Sequence, residues 1–64
     1  MKNFGANLKN IRISSDMTQK QVAENLNVSL KTISHWELGI TEPNLECLTK
    51  IKDMFNVSYE ELLD

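Results

Sequence analysis

Between Thr18 and Gly39 the chain reads TQKQVAENLNVSLKTISHWELG, and this stretch dictates two short helices joined by a tight turn. Thr18 followed three residues later by Gln21 has capping-box spacing: the hydroxyl accepts from the N3 amide while the glutamine side chain returns to the N-cap amide. A helix therefore starts at Gln19. Val22, Ala23 and Leu26 form one apolar stripe along it, with Lys20, Gln21, Glu24 and Asn25 elsewhere on its surface. Asn27 stands where the helix must stop, and asparagine tolerates the left-handed backbone of a sharp turn. Ser29 caps the next helix. That helix buries Ile33 and much of Trp36, leaves Leu30, Lys31, Thr32, Ser34 and His35 for solvent or a partner, and ends at Gly39.

The flanking sequence continues the helical pattern. Phe4, Leu8 and Ile11 repeat at i, i+4 and i+7 and place a helix before the turn Ser14-Ser15-Asp16-Met17. Pro43 keeps Glu42 out of the helical region, so the chain breaks after Gly39 and restarts at the N-cap Asn44. Leu45, Leu48, Ile51 and Phe55 then recur at helical spacing, and Ser58 with Glu61 makes a second capping box. The expectation is an all-α domain over residues 1–64, with helices at about 3–14, 19–26, 30–38, 45–56 and 59–63. Its core is read as Phe4, Leu8, Ile11, Val22, Leu26, Ile33, Trp36, Leu48, Ile51 and Phe55. Leu62 and Leu63 either close that core or face a second subunit.

Length and composition remove several classes of function. A chain of 64 residues allows one small domain, and one this size buries only about 60% of its unfolded surface. No apolar run approaches the roughly 20 residues that span a bilayer, and the N-terminus has no signal-peptide pattern, so a cytoplasmic setting is expected. Cys47 is alone and cannot form an internal disulfide; with one histidine and no glycine-rich phosphate cradle, neither a metal site, a cofactor site nor a catalytic set is expected. Cys47 reads as a small core residue.

The formal net charge is −2, but it is unevenly distributed. Residues 1–36 carry five basic side chains (Lys2, Lys9, Arg12, Lys20, Lys31) against Asp16 and Glu24, a net of +3. Residues 37–64 carry Lys50 and Lys52 against seven acidic side chains, a net of −5. Such asymmetry can orient a domain in the field of a polyanion.

The pattern T-Q-x-x-V-A-x-x-L-x-V-S-x-x-T-I-S-x-W-E-x-G resembles the phage-repressor and Cro-like helix-turn-helix family, also called the XRE family. Leu8, Ile11 and Arg12 upstream, Pro43-Asn44-Leu45, and the closing Val57-Ser58-Tyr59-Glu60-Glu61-Leu62-Leu63 look like its remaining landmarks, so the resemblance covers nearly the whole chain. It implies a lambda-repressor-like fold and a sequence-specific regulator of transcription, of repressor type, bound to double-stranded DNA. In a helix-turn-helix the second helix lies in the major groove with its N-terminal side chains at the base edges. By resemblance Leu30, Lys31, Thr32 and His35 match the base-reading positions, while Gln19, Lys20 and Ser29 match positions that hold the DNA backbone. The chemistry suits those roles: Lys31 can donate to guanine O6 and N7, Thr32 can hydrogen-bond or offer a methyl to thymine, and Leu30 can pack on a thymine methyl. The resemblance further implies a structural ion pair between Arg12 and Glu37.

Two departures from the family matter. Asp16 stands where glycine is common, and the loop Ile40-Thr41-Glu42 has no basic residue where the family often contacts phosphate. Few basic contacts mean weak binding per monomer, so a homodimer on a partly palindromic operator is expected, with Leu63 and Ile40 as candidate contacts. The alternative reading is a protein-interaction module of antitoxin type, in which the acidic C-terminal half binds a protein partner and DNA binding is secondary or absent.

Overall fold

A computed structural model describes all 64 residues. Five helices follow one another without a strand: α1 (Phe4–Ser14), α2 (Gln19–Leu26), α3 (Leu30–Glu37), α4 (Leu45–Phe55) and α5 (Tyr59–Leu63). The starts of α2 to α5 are set by side-chain caps. Thr18 Oγ1 accepts from the Gln21 amide at 3.0 Å while the Thr18 amide donates to Gln21 Oε1 at 2.8 Å, and Ser58 with Glu61 repeats the reciprocal arrangement. Asn44 Oδ1 accepts from the Cys47 amide at 2.8 Å and opens α4.

The ends share one device. Asp16, Asn27, Gly39 and Asn56 adopt positive φ values of 56, 57, 76 and 54° after α1, α2, α3 and α4. The residue after each donates its amide back to a carbonyl in the last turn: Met17 to Arg12, Val28 to Ala23, Ile40 to His35 and Val57 to Lys52. This satisfies carbonyls that a helix end otherwise leaves unpaired. Met17, Val28 and Val57 then pack against the core, whereas Ile40 remains 61% exposed.

The core consists of Phe4, Leu8, Val22, Ala23, Leu26, Ile33, Trp36, Leu48, Ile51 and Leu62. Ile11 and Phe55, expected inside, are half-buried at its margin; Ala23 and Leu62 are enclosed in their place. Leu62 is fully buried and Leu63 half-buried against the same cluster, so α5 closes the core. One side chain of α1 and one from the residue just before it fasten it there: Asn7 Nδ2 donates to the Leu62 carbonyl and Asn3 Nδ2 to the Asp64 carbonyl, both at 2.9 Å.

Helix α3 is held from behind by α1 and α2. Phe4 meets Trp36 edge to face, with ring centroids 6.2 Å apart. One residue on, Gly5 lets the backbones approach so closely that a Cβ there would stand 2.5 Å from the Trp36 carbonyl oxygen and 2.8 Å from that of Glu37. No helix is long and apolar enough to cross a membrane.

Candidate nucleic-acid interface

The α3 surface divides into a bracing side and an outward side. Ile33 is fully buried and Trp36 nearly so, which fixes the rotation of the helix about its axis. Leu30 is then 50% exposed and Lys31 exposed, while Thr32, Ser34 and His35 are half-buried. The outward row is therefore widest at the N-terminal turn and narrows toward His35, which lies one turn beyond Lys31.

Local chemistry holds that first turn in shape. Ser29 Oγ accepts from the Thr32 amide at 3.1 Å and lies 2.8 Å from Thr32 Oγ1, so the cap and the third helical residue share a hydroxyl hydrogen. Ser29 is exposed beside them. Lys31 and Lys20, each at the second position of its helix, enter no ion pair with the chain's own carboxylates.

Behind the row sits a polar cluster that joins three helices. Arg12 of α1 donates from Nε to Glu37 Oε2 at 2.6 Å and from Nη2 to Glu37 Oε1 at 3.0 Å, a bidentate pair, and from Nη1 to the Met17 carbonyl at 3.0 Å. Gln19, the first residue of α2, donates from Nε2 to Glu37 Oε1 at 3.0 Å. The Arg12 and Glu37 side chains are only 12% and 4% exposed. Hydrogen bonding to Glu37, opposed by burial and reinforced by the carboxylate charge, holds Arg12 above the ordinary arginine range. The guanidinium thus remains charged at any working pH, and the pair clamps the end of α3 to α1 and to the start of α2.

The Gln19 link is not apparent from sequence, because it joins residues 18 positions apart through side chains. It orients the amide: Nε2 is committed to a carboxylate, which leaves its second N–H and its carbonyl oxygen for other partners. Glu42, in the loop after α3, lies 3.6 Å from the N-terminal ammonium of Met1, so its charge is partly offset at the surface. Cys47 is half-buried against the core, and no three His, Cys, Asp or Glu side chains come together in a group able to hold a metal ion.

Residues 8–62 match the model of a family described as helix-turn-helix. The chain belongs to the helix-turn-helix family. Its helix-turn-helix motif is α2 and α3, the pair joined through Asn27. Over 60 residues, 94% of the chain, it is 43% identical to "HTH-type transcriptional activator BcrR" of Enterococcus faecalis, covering 29% of that protein. Over the same share it is 32% identical to "Antitoxin PezA" of Streptococcus pneumoniae and 28% identical to "Cryptic phage CTXphi transcriptional repressor RstR" of Vibrio cholerae. It covers 38% and 54% of those two, so the helix-turn-helix chain spans about half or less of these relatives' length. No solved structure matches.

Proposed function

We propose that the chain is a sequence-specific, double-stranded DNA-binding domain of a transcriptional regulator, acting in the cytoplasm and reading the major groove with α3. The observation that carries this reading is the outward row on α3: Leu30 and Lys31 stand free of the rest of the chain while Ile33 and Trp36 anchor the opposite side. A helix braced on one side and bare on the other meets the geometric need of groove insertion. Lys31 donates to guanine, Leu30 packs on a thymine methyl, Thr32 presents its methyl, and His35 supplies a donor one turn on. Gln19, Lys20 and Ser29 hold phosphates where α2 and α3 begin, with free amides and the helix dipoles adding to their grip.

Two copies on half-sites about one helical turn apart supply the affinity that four free lysines in residues 1–36 do not. Ile40 is the exposed candidate for their contact. Repression is the simpler output, since occupying the groove excludes other proteins, whereas activation requires a further contact. Selection from a random DNA pool at fixed salt tests the reading: an enriched, partly palindromic motif supports it, and no enrichment refutes it.

A protein-interaction module of antitoxin type is the second reading. It is favoured by the likeness to a protein named as an antitoxin and by the exposed acidic side chains Glu42, Glu46, Asp53, Glu60, Glu61 and Asp64. A pure interaction module enriches no DNA sequence.

A further inference from the structure

The buried pair at the end of α3 has a third member that the clamp does not require. Glu37 Oε1 accepts from Arg12 Nη2 and from Gln19 Nε2, each at 3.0 Å, while Oε2 accepts from Arg12 Nε at 2.6 Å. Arg12 alone therefore engages both carboxylate oxygens, and what the Gln19 bond adds is a fixed position for a flexible side chain. A glutamine amide carries two N–H donors in one plane. With one directed at Glu37, the plane is set and the other points away from the carboxylate. No buried side-chain nitrogen or oxygen lacks a partner, so the Gln19 oxygen, which makes no bond within the chain, opens to the surface. Beside it the backbone amides of Gln19 and Lys20 head α2 without acceptors, since Gln21 and Val22 are the first to bond, both to Thr18.

A bare carboxylate at this place would repel the phosphate that Gln19 and Lys20 hold. Arg12 cancels it through a contact to each oxygen. The two side chains are only 12% and 4% exposed, so salt in solution screens the pair little. The three residues together present one aimed donor and no net charge.

We infer that Glu37 is a positioning residue for the DNA-backbone contact at the start of α2: it holds one N–H of the Gln19 amide so that the other meets a phosphate oxygen, and Arg12 supplies the counter-charge that lets a carboxylate stand there. The inference rests on Gln19 holding phosphate and adds what aims it. The residue that ends α3 thereby orients the residue that begins α2, and one side chain keeps the two motif helices in register on the duplex.

A double-mutant cycle on affinity for a duplex of random sequence, at constant salt and below each variant's unfolding midpoint, separates aiming from folding. In the unsubstituted chain Gln19→Ala is expected to weaken binding roughly tenfold, the worth of one hydrogen bond to a charged group. Arg12→Met with Glu37→Leu strands no charge; it frees the glutamine and weakens binding about fivefold, the cost of ordering one long side chain. In that background Gln19→Ala weakens binding only about twofold more. Equal factors in the two backgrounds make Glu37 a structural residue alone and overturn the inference. No loss from Gln19→Ala in the unsubstituted chain also refutes the phosphate role of Gln19, which distinguishes the two failures. A second measurement needs no variant: of the two side-chain amide protons of Gln19 in the labelled chain, one moves as the duplex is added, and the one bonded to Glu37 keeps its shift. Both moving together, or neither, overturns the inference.

Discussion

Replacing Arg12 by alanine removes a guanidinium that makes three hydrogen bonds and leaves Glu37, 4% exposed, with Gln19 Nε2 as its remaining side-chain partner. Breaking one side of a buried pair costs about 3 to 5 kcal/mol, because the stranded charge stays desolvated. A domain of 64 residues has a total stability of about 3 to 10 kcal/mol at 0.05 to 0.15 kcal/mol per residue. The substitution therefore consumes a large part of the total. At 4 to 8 °C per kcal/mol for a domain this small, Tm falls by at least about 12 °C.

Urea and thermal unfolding followed by far-UV circular dichroism and by Trp36 fluorescence measure the loss, with Lys9→Ala, on an exposed site, as the control. Replacing both partners by apolar residues of similar volume, Arg12→Met with Glu37→Leu, recovers most of the stability, since no charge is then stranded. Because Glu37 raises the Arg12 pKa, the arginine's share of the stabilisation is present below the unfolded value and is lost only as pH rises through the raised folded one. Deprotonation of Arg12 therefore contributes no change between pH 6 and 9. An Arg12→Ala loss no greater than that of Lys9→Ala, or a double variant that loses the sum of the two single losses, refutes the reasoning.

Gly5→Ala, which raises helix propensity by about 1 kcal/mol, nonetheless lowers the unfolding midpoint, because the new methyl meets two backbone oxygens at 2.5 and 2.8 Å; a raised midpoint contradicts the close approach. Gln19→Ala weakens binding to specific and non-specific duplexes alike, and a loss confined to the selected sequence removes Gln19 from the phosphate-holding set. Lys31→Ala costs about 1 to 3 kcal/mol on the selected site and relaxes preference at one base pair, measured by competition between singly substituted duplexes; an equal loss on every sequence makes Lys31 a phosphate contact instead.

What the sequence revealed and what it withheld separate by distance along the chain. The Thr18 and Ser58 caps and the left-handed turn at Asn27 depend on neighbours within five residues, so residue type and spacing expose them. The all-α architecture follows from those stops plus the 3.6-residue apolar period. The exchange of Ile11 and Phe55 for Ala23 and Leu62 in the core was not legible. All four sit among the apolar positions of their helices, and only the packing of the helices against one another decides which of them is fully covered. Gly5, Asn3 and Asn7 carry no local signal, since their partners are the carbonyls of Trp36, Glu37, Leu62 and Asp64, far along the chain. Within the candidate site the exposure of Leu30 and Lys31 follows from helical periodicity once Ile33 and Trp36 are inside. The engagement of Gln19 with Glu37 and of Thr32 with Ser29 required side-chain positions.

The proposed recognition of DNA requires α3 to present Leu30, Lys31, Thr32 and His35 to the groove. Backbone amide shifts of the labelled chain, recorded as the selected duplex is added, test this most directly. The largest changes are expected from Ser29 through His35 and at the start of α2 from Gln19, with α5 and the exposed face of α4 nearly unmoved. Changes centred on α4 and α5, with residues 29–35 unaffected, contradict it.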